Sequence, residues 1–149
     1  MESTTQARSA RRGRGRRADE NGAVAVEFAL IAMLLFTLLF GILQFGLWFW
    51  CWQTGAHAAR EAARFAAVAP CDDAGIEGKA TAALDGAPVT GAAPTVNATR
   101  PADVRVGDEI TVHVHFTTVD LGFFPGFNGV VDKSATSRVE NVPAGGCTP

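Results

Sequence analysis

The residues best suited to chemistry lie where an apolar segment begins. Gly22 ends an arginine-rich stretch, Ala23 starts a run of apolar residues, and Glu27 is the single carboxylate between residues 23 and 52. A carboxylate at the start of a membrane span costs about 2–3 kcal/mol or more when it has no partner. We therefore expect Glu27 either to pair with a cation or to lie in the headgroup region.

Two cysteines bracket the C-terminal part of the chain. Cys71 and Cys147 both follow the apolar segment. The arginines before that segment predict that everything after it lies outside the cytoplasm, where disulfides persist. A bond between them would close a loop of this size with a stabilisation of about 4 kcal/mol. The sequence favours this disulfide over two free thiols.

The remaining reactive side chains do not assemble into a catalytic or metal-binding pattern. His113 and His115 share one face of a predicted strand, but no acid or cysteine at the same spacing completes a ligand set, which favours a solvated face. The chain has no phosphate-binding glycine loop, no CxxC pair and no nucleophile beside a plausible base. We expect no enzyme activity, no cofactor and no metal.

The elements around Glu27 are a basic arm and an apolar helix. Residues 1–22 contain six arginines and three acids, a local charge of +3, although the whole chain carries −2. We predict a disordered arm over 1–21, because such a run buries too little apolar surface to order itself. A basic arm can bind nucleic acid or flank a membrane, and the segment that follows it favours the membrane.

The apolar segment is long enough to cross a bilayer. Residues 28–52 carry no formal charge and would reach about 37 Å as a helix, against about 30 Å of hydrocarbon. The arginines before it predict a cytoplasmic N-terminus and an extracytoplasmic C-terminus. A buried core helix or a cleaved secretory signal explains this length less well.

These patterns divide the chain into four parts. We predict a basic cytoplasmic leader, a transmembrane helix, an extracytoplasmic extension of that helix, and a small exported α+β domain; these occupy residues 1–22, 23–52, 53–69 and 70–149 respectively. Pro70 ends the long helix, because proline disfavours helix at the residue before it.

Within residues 70–149 the pattern predicts one short helix and a few strands. Asp72 and Asp73 are candidate caps of a helix that runs through about Leu84, and alternating apolar residues over 110–117 give the clearest strand. The other predictions are a loop over 86–94, a broken strand over 96–106, an aromatic loop over 121–129 and a closing strand over 130–142.

The start of the apolar segment resembles the type III signal of type IV pilins and pseudopilins. In that family a membrane-bound prepilin peptidase cuts after the glycine on the cytoplasmic face, and the fifth mature residue is glutamate. The resemblance implies a cut between Gly22 and Ala23, which makes Glu27 the fifth mature residue. Glu27 could then pair with the Ala23 amine of a neighbouring subunit and set the register between subunits.

A longer stretch of the sequence resembles a more specific family. The residues from Val26 to Leu30, the segment 41–46 and the alanine-rich run 58–68 look like the TadE family, minor pseudopilins of tight-adherence (Flp, type IVc) pilus systems. The match covers 22–68 well and 108–141 loosely. It departs from the family at Ala62, where glycine is common, and at Gln44, where aspartate is frequent.

This resemblance implies a pilin-like α+β fold, in which a long N-terminal transmembrane helix continues outside the membrane and leads into a small antiparallel-sheet domain. It implies a minor pseudopilin or assembly component that meets the membrane, other pilin-like subunits, the pilus assembly machinery and a prepilin peptidase, and no nucleic acid. The alternative is an unprocessed single-pass membrane anchor that carries an external binding domain.

Overall fold

The described part of the chain folds into one long helix, one short helix and one antiparallel sheet. The computed structural model describes residues 9–124, 126–127 and 129–147, with side chains from residue 22 onward. In chain order the elements are α1 (Ser9–Val68), α2 (Asp73–Ala83), β1 (Val89–Thr99), β2 (Glu109–Thr118) and β3 (Val130–Arg138). The predicted α+β class, with a long N-terminal apolar helix before a small antiparallel sheet, is confirmed.

Helix α1 begins earlier than the sequence predicts. Part of the predicted disordered arm, 1–8, lies outside the described residues, but the helix already starts at Ser9, so the prediction is wrong for 9–21. Arginine is a good helix former, and a helix nucleated in the apolar segment extends at little cost per residue. At its other end α1 stops at Val68, two residues before Pro70, as predicted.

The chain divides into two units, Met1–Ile42 and Leu43–Pro149. The second unit contains the last part of α1, helix α2 and the whole sheet. Its strands follow the order β1-β2-β3, and both pairings are antiparallel. Strand β2 is therefore central, and its alternate residues decide which face of the sheet is covered.

One face of β2 forms the centre of the core. Ile110, Val112 and Val114 are fully buried and Phe116 is nearly so, whereas the histidines between them point to the opposite, exposed face. This alternation confirms the predicted strand and the predicted solvated position of the histidines. His115 lies 3.7 Å from the carboxylate of Asp132, the residue opposite it on β3.

Small residues of α1 cover that buried face. The buried positions recur every three or four residues and so form one helical stripe; they are Gln44, Cys51, Gly55, Ala58, Ala59, Ala62, Ala63, Ala66 and Ala67. A Cβ atom at Gly55 would lie 3.0 Å from Phe116 Cε1 and 3.1 Å from Val131 Cγ1. The helix therefore packs closely against the sheet because its side chains are small.

Helix α2 is held by polar contacts at its N-terminal end and by the burial of one face. Asp72 caps it as predicted, since the Gly75 amide donates a 2.8 Å hydrogen bond to the Asp72 carboxylate. The guanidinium of Arg100, just after β1, donates two hydrogen bonds to the Asp73 carboxylate, one of them 2.8 Å long. Ile76 and Ala80 provide the buried face of the helix.

Three of the predicted strand and loop limits need correction. The segment 86–94 is not all loop, because β1 already starts at Val89 and bulges between Thr90 and Thr95. An edge strand tolerates the proline that the bulge contains, because its outer amides need no partner. The strand predicted over 96–106 stops at Thr99, and the closing strand stops at Arg138 rather than at residue 142.

Candidate membrane anchor and assembly helix

The predicted processing residues all lie on the exposed surface of α1. Gly22, Ala23 and Glu27 are exposed, and a Cβ atom placed on Gly22 would meet nothing within 4 Å. Ala23 and Glu27 are four residues apart and so share one face of the helix, a turn from each other. Among the side chains that the structure describes, none forms an ion pair with Glu27.

Residues 28–42 of this first unit present an apolar surface. Phe28 and Ile42, near its two ends, are each 72% exposed. The hydroxyl of Thr37 donates a 2.8 Å hydrogen bond to the carbonyl of Met33, which satisfies a polar group without a partner outside the helix. An apolar helix surface of this kind suits contact with lipid or with other apolar helices.

Length and composition allow α1 to cross a membrane. Its described part Gly22–Val68 contains an 18-residue window with a mean hydropathy of 2.5, none of it buried inside the protein. The helix can therefore serve as an N-terminal membrane anchor, as the sequence predicts.

Burial on α1 begins at Gln44, whose side chain is only 1% exposed. Its Nε2 donates a 3.0 Å hydrogen bond to the carbonyl of Val119, and its Oε1 accepts a 2.8 Å hydrogen bond from the amide of Leu121. Both bonds fix the start of the segment after β2 against the helix. From the sequence, Gln44 was noted only as a departure from the family pattern, and this role was not predicted.

The available signal for Gln44 is its isolation within an apolar helix. An amide side chain in such surroundings is favourable only if its donors and acceptor find partners. Gln44 is the one amide side chain in residues 23–52, so its burial could have been predicted from the sequence. Its partners could not, because they lie 75 and 77 residues away.

The Cys51 thiol makes a second contact between α1 and the end of β2, about two helical turns after Gln44. It is fully buried, and its sulfur lies 3.0 Å from the hydroxyl of Thr118, which in turn donates a 3.1 Å hydrogen bond to the carbonyl of Pro88. This small polar chain ties the helix to the end of β2.

Aromatic rings gather at the same end of the sheet. The ring of Phe45 lies 6.0 Å from that of Phe124 and 6.2 Å from that of Phe127, measured between centroids. Phe124 also contacts Phe123 edge to face at 5.2 Å. The predicted aromatic loop therefore packs against α1 in the parts that the structure describes, while Pro125 and Asn128 lie outside them.

The alanine-rich run has a different environment on its two sides. Ala58, Ala62 and their neighbours on the stripe are buried, whereas Arg60 and Arg64 are exposed. Glu61 and Arg64 form an exposed contact of 4.0 Å, which contributes little to stability. The main structural role of this run is packing against the sheet.

The two cysteines that bracket the C-terminal domain are bonded to each other. Cys71 and Cys147 form a disulfide with a Cα–Cα distance of 5.0 Å and a sequence separation of 76. The bond fastens the tail of the domain to the residue that follows Pro70.

Part of α1 matches a known protein family. Residues 22–64 match the family model of TadE-like proteins. The resemblance to TadE is thereby confirmed over this segment, which contains Glu27, the exposed apolar surface, Gln44 and most of the buried alanines. No curated protein and no solved structure matches the chain.

The TadE-like match gives the segment a biological context. TadE-like proteins are associated with tight-adherence pili, and the match suggests such an association for the segment that it covers. The domain beyond residue 64 lies outside the match.

Proposed function

We propose that the protein is a minor pseudopilin or assembly component of a tight-adherence pilus, held in the membrane by α1. The observation that carries this proposal is the TadE-like match over 22–64, which begins at the glycine of the processing signal. The exposed apolar surface of α1 supports it, because that surface offers other pilin-like helices a place to pack.

In this proposal Glu27 acts after the leader has been removed. A cut between Gly22 and Ala23 leaves a free amine at Ala23 on the same helical face as Glu27. The carboxylate of one subunit pairs with the amine of the next, in a surrounding of low dielectric constant where a lone charge is costly. The exposure of Glu27, and the lack of an ion-pair partner among the described side chains, support a partner on another chain.

The orientation follows from the charge of the leader. Arginines at the N-terminal flank hold that end in the cytoplasm, where a prepilin peptidase acts. A protease added to cells with a permeable outer envelope should degrade residues 70–149. Protection of that domain, with the arginines accessible instead, would reverse the orientation.

Co-expression with a prepilin peptidase tests the processing step. N-terminal sequencing of the membrane-associated protein should show a chain that starts at Ala23, and Gly22→Leu should keep the arginine leader. Gly46→Leu is the matched control, because Gly46 is also a glycine of α1 with nothing within 4 Å of a Cβ atom. An uncut wild-type chain in cells with an active pilus system would favour the unprocessed membrane anchor.

A second experiment separates assembly from processing. Glu27→Gln keeps the shape and most of the hydrogen bonding of the side chain but removes its charge. It should be inserted and cut normally, yet recover fewer pilin-like subunits on purification from membranes. Glu77→Gln, an exposed glutamate of α2, is the control and should leave recovery unchanged.

A double change then tests the partner of Glu27. Acetylation of the Ala23 amine should add little to the defect of Glu27→Gln, since both remove one interaction. Additive losses would mean that the amine and the carboxylate act separately.

A further inference from the structure

The second unit carries an exposed aromatic surface close to the residues of α1 with which that unit begins. We name it the aromatic cluster: Phe45 and Phe49 on α1, and Leu121, Phe123, Phe124 and Phe127 on the loop after β2. Phe45 is 55% exposed, Phe49 54%, and Phe123 40%. Phe45 joins the two parts through its ring contacts with the loop, and Phe49 lies one helical turn further on.

The loop is held at a defined level of α1. Because the Gln44 side chain bonds to the backbone of both Val119 and Leu121, the loop cannot shift along the helix without breaking two part-buried hydrogen bonds. Gln44 is also the first buried residue of α1 among its described side chains. Residues 23–42 precede it, with an exposed apolar surface.

The length of the uncovered segment fits a bilayer. The twenty residues 23–42 reach about 30 Å as a helix, close to the thickness of the hydrocarbon core. Glu27 lies about 6 Å from the inner end of this length, near enough for its carboxylate to reach the headgroup region. If the membrane span continued to Trp52, the part of the sheet that contacts Trp52 would also lie within the hydrocarbon. The ammonium of Lys133 lies 3.5 Å from the centroid of the Trp52 ring, and a charge at that level belongs in water rather than in hydrocarbon.

We propose that the membrane span ends near Ile42 and that the aromatic cluster inserts into the outer boundary between lipid headgroups and hydrocarbon. The occupant of this surface is the phospholipid of the bilayer that α1 crosses. Phenylalanine and leucine side chains insert from a protein surface into that boundary. None of the six residues of the cluster is charged, and the exposed carboxylate of Asp120, which precedes Leu121, lies beside it. The inference rests on the membrane anchoring proposed above, and it revises the predicted outer limit of the span from residue 52 to residue 42.

Spin labels on the full-length chain test this depth. Single cysteines at Phe123, Leu121, Leu34 and Thr99, in a Cys51→Ser background that retains the native disulfide, are labelled with a nitroxide and placed one chain per phosphatidylcholine nanodisc. Accessibility to oxygen, which enters hydrocarbon, is compared with accessibility to a nickel chelate, which stays in water. Leu34 lies within the proposed span, and Thr99 is an exposed control at the far end of β1.

The labels at Phe123 and Leu121 should be reached at least threefold more readily by oxygen than by the chelate, relative to the label at Thr99. Equal ratios at Phe123 and Thr99, with Leu34 still in hydrocarbon, would overturn the aromatic contact and leave the anchor intact. If Leu34 were also open to the chelate, the anchor itself would fail.

Nanodiscs that hold several copies separate lipid from protein as the occupant. Oxygen accessibility at Phe123 should be the same with one copy and with several. A fall that appears only with several copies would show that another chain covers the cluster, which would overturn the lipid assignment.

Discussion

Gln44 bonds through both ends of its amide to backbone groups that follow β2, Nε2 to the carbonyl of Val119 and Oε1 to the amide of Leu121. One side chain of the long helix thus satisfies two groups that lie more than 70 residues away in the sequence. Its removal leaves a donor and an acceptor without partners at the point where the domain first meets the helix.

We expect Gln44→Leu to lower the free energy of unfolding by about 1–2 kcal/mol, because it removes two part-buried hydrogen bonds that each contribute about 0.5–1.5 kcal/mol. Thermal unfolding in detergent, followed by circular dichroism, measures this loss as a drop in Tm on the order of 5 °C. Gln53→Leu, at an exposed position of the same helix, should change Tm little. Equal effects of the two substitutions would contradict the role assigned to Gln44.

Gly55 should tolerate no larger side chain. Gly55→Leu forces atoms into space already taken by Phe116 and Val131, and overpacking of this kind costs about 1–3 kcal/mol. Gly78→Leu is the matched control, because nothing lies within 4 Å of a Cβ atom there and leucine is the better helix former. Chemical denaturation should rank the variants with Gly55→Leu least stable; a rank with Gly78→Leu last would be inconsistent with the close helix–sheet contact.

The disulfide predicts a definite pattern of thiol labelling. In the native protein no cysteine should react, since Cys71 and Cys147 are bonded and Cys51 is fully buried. Denaturation should expose one thiol per chain, on Cys51, and reductant should then release two more. Mass spectrometry of the labelled peptides identifies the residues; three thiols reactive without reductant would exclude the bond in the cell.

Stability at acid pH should depend on Asp73. Hydrogen bonds from Arg100 lower the pKa of this carboxyl below its ordinary value of 3.8, and they outweigh partial burial, which raises it. The folded state therefore binds a proton less readily than the unfolded state. The contribution is complete above about pH 5 and disappears as the pH falls through the folded pKa.

Asp73→Asn removes this dependence, so its Tm should fall less steeply than that of the wild type between about pH 5 and pH 2. Asp85→Asn, at an exposed position just after α2, serves as the control and should keep the wild-type slope. Parallel curves for Asp73→Asn and the wild type would show that the ion pair does not contribute.

The elements with local signals were predictable from the sequence. Strict alternation over 110–117 gave β2 and its buried face, and Asp72 gave the start of α2, because both signals arise within a few residues. The strand from Val89 was missed because glycine and proline in its bulge resemble a loop. The partners of Gln44 could not be predicted, since only tertiary packing brings them to the helix.

The buried stripe of α1 has a consequence for any larger assembly. Alanine-rich helices commonly offer their small residues to a second helix, yet here the protein's own sheet already occupies that side from Ala58 to Ala67. A companion chain approaching this length of helix would encounter the reverse side, which displays Gln53, His57, Arg60 and Arg64. Recognition there would depend on hydrogen bonds and charge, while close apolar packing between chains would be confined to the helix before Gln53, where the last exposed ring is that of Trp52.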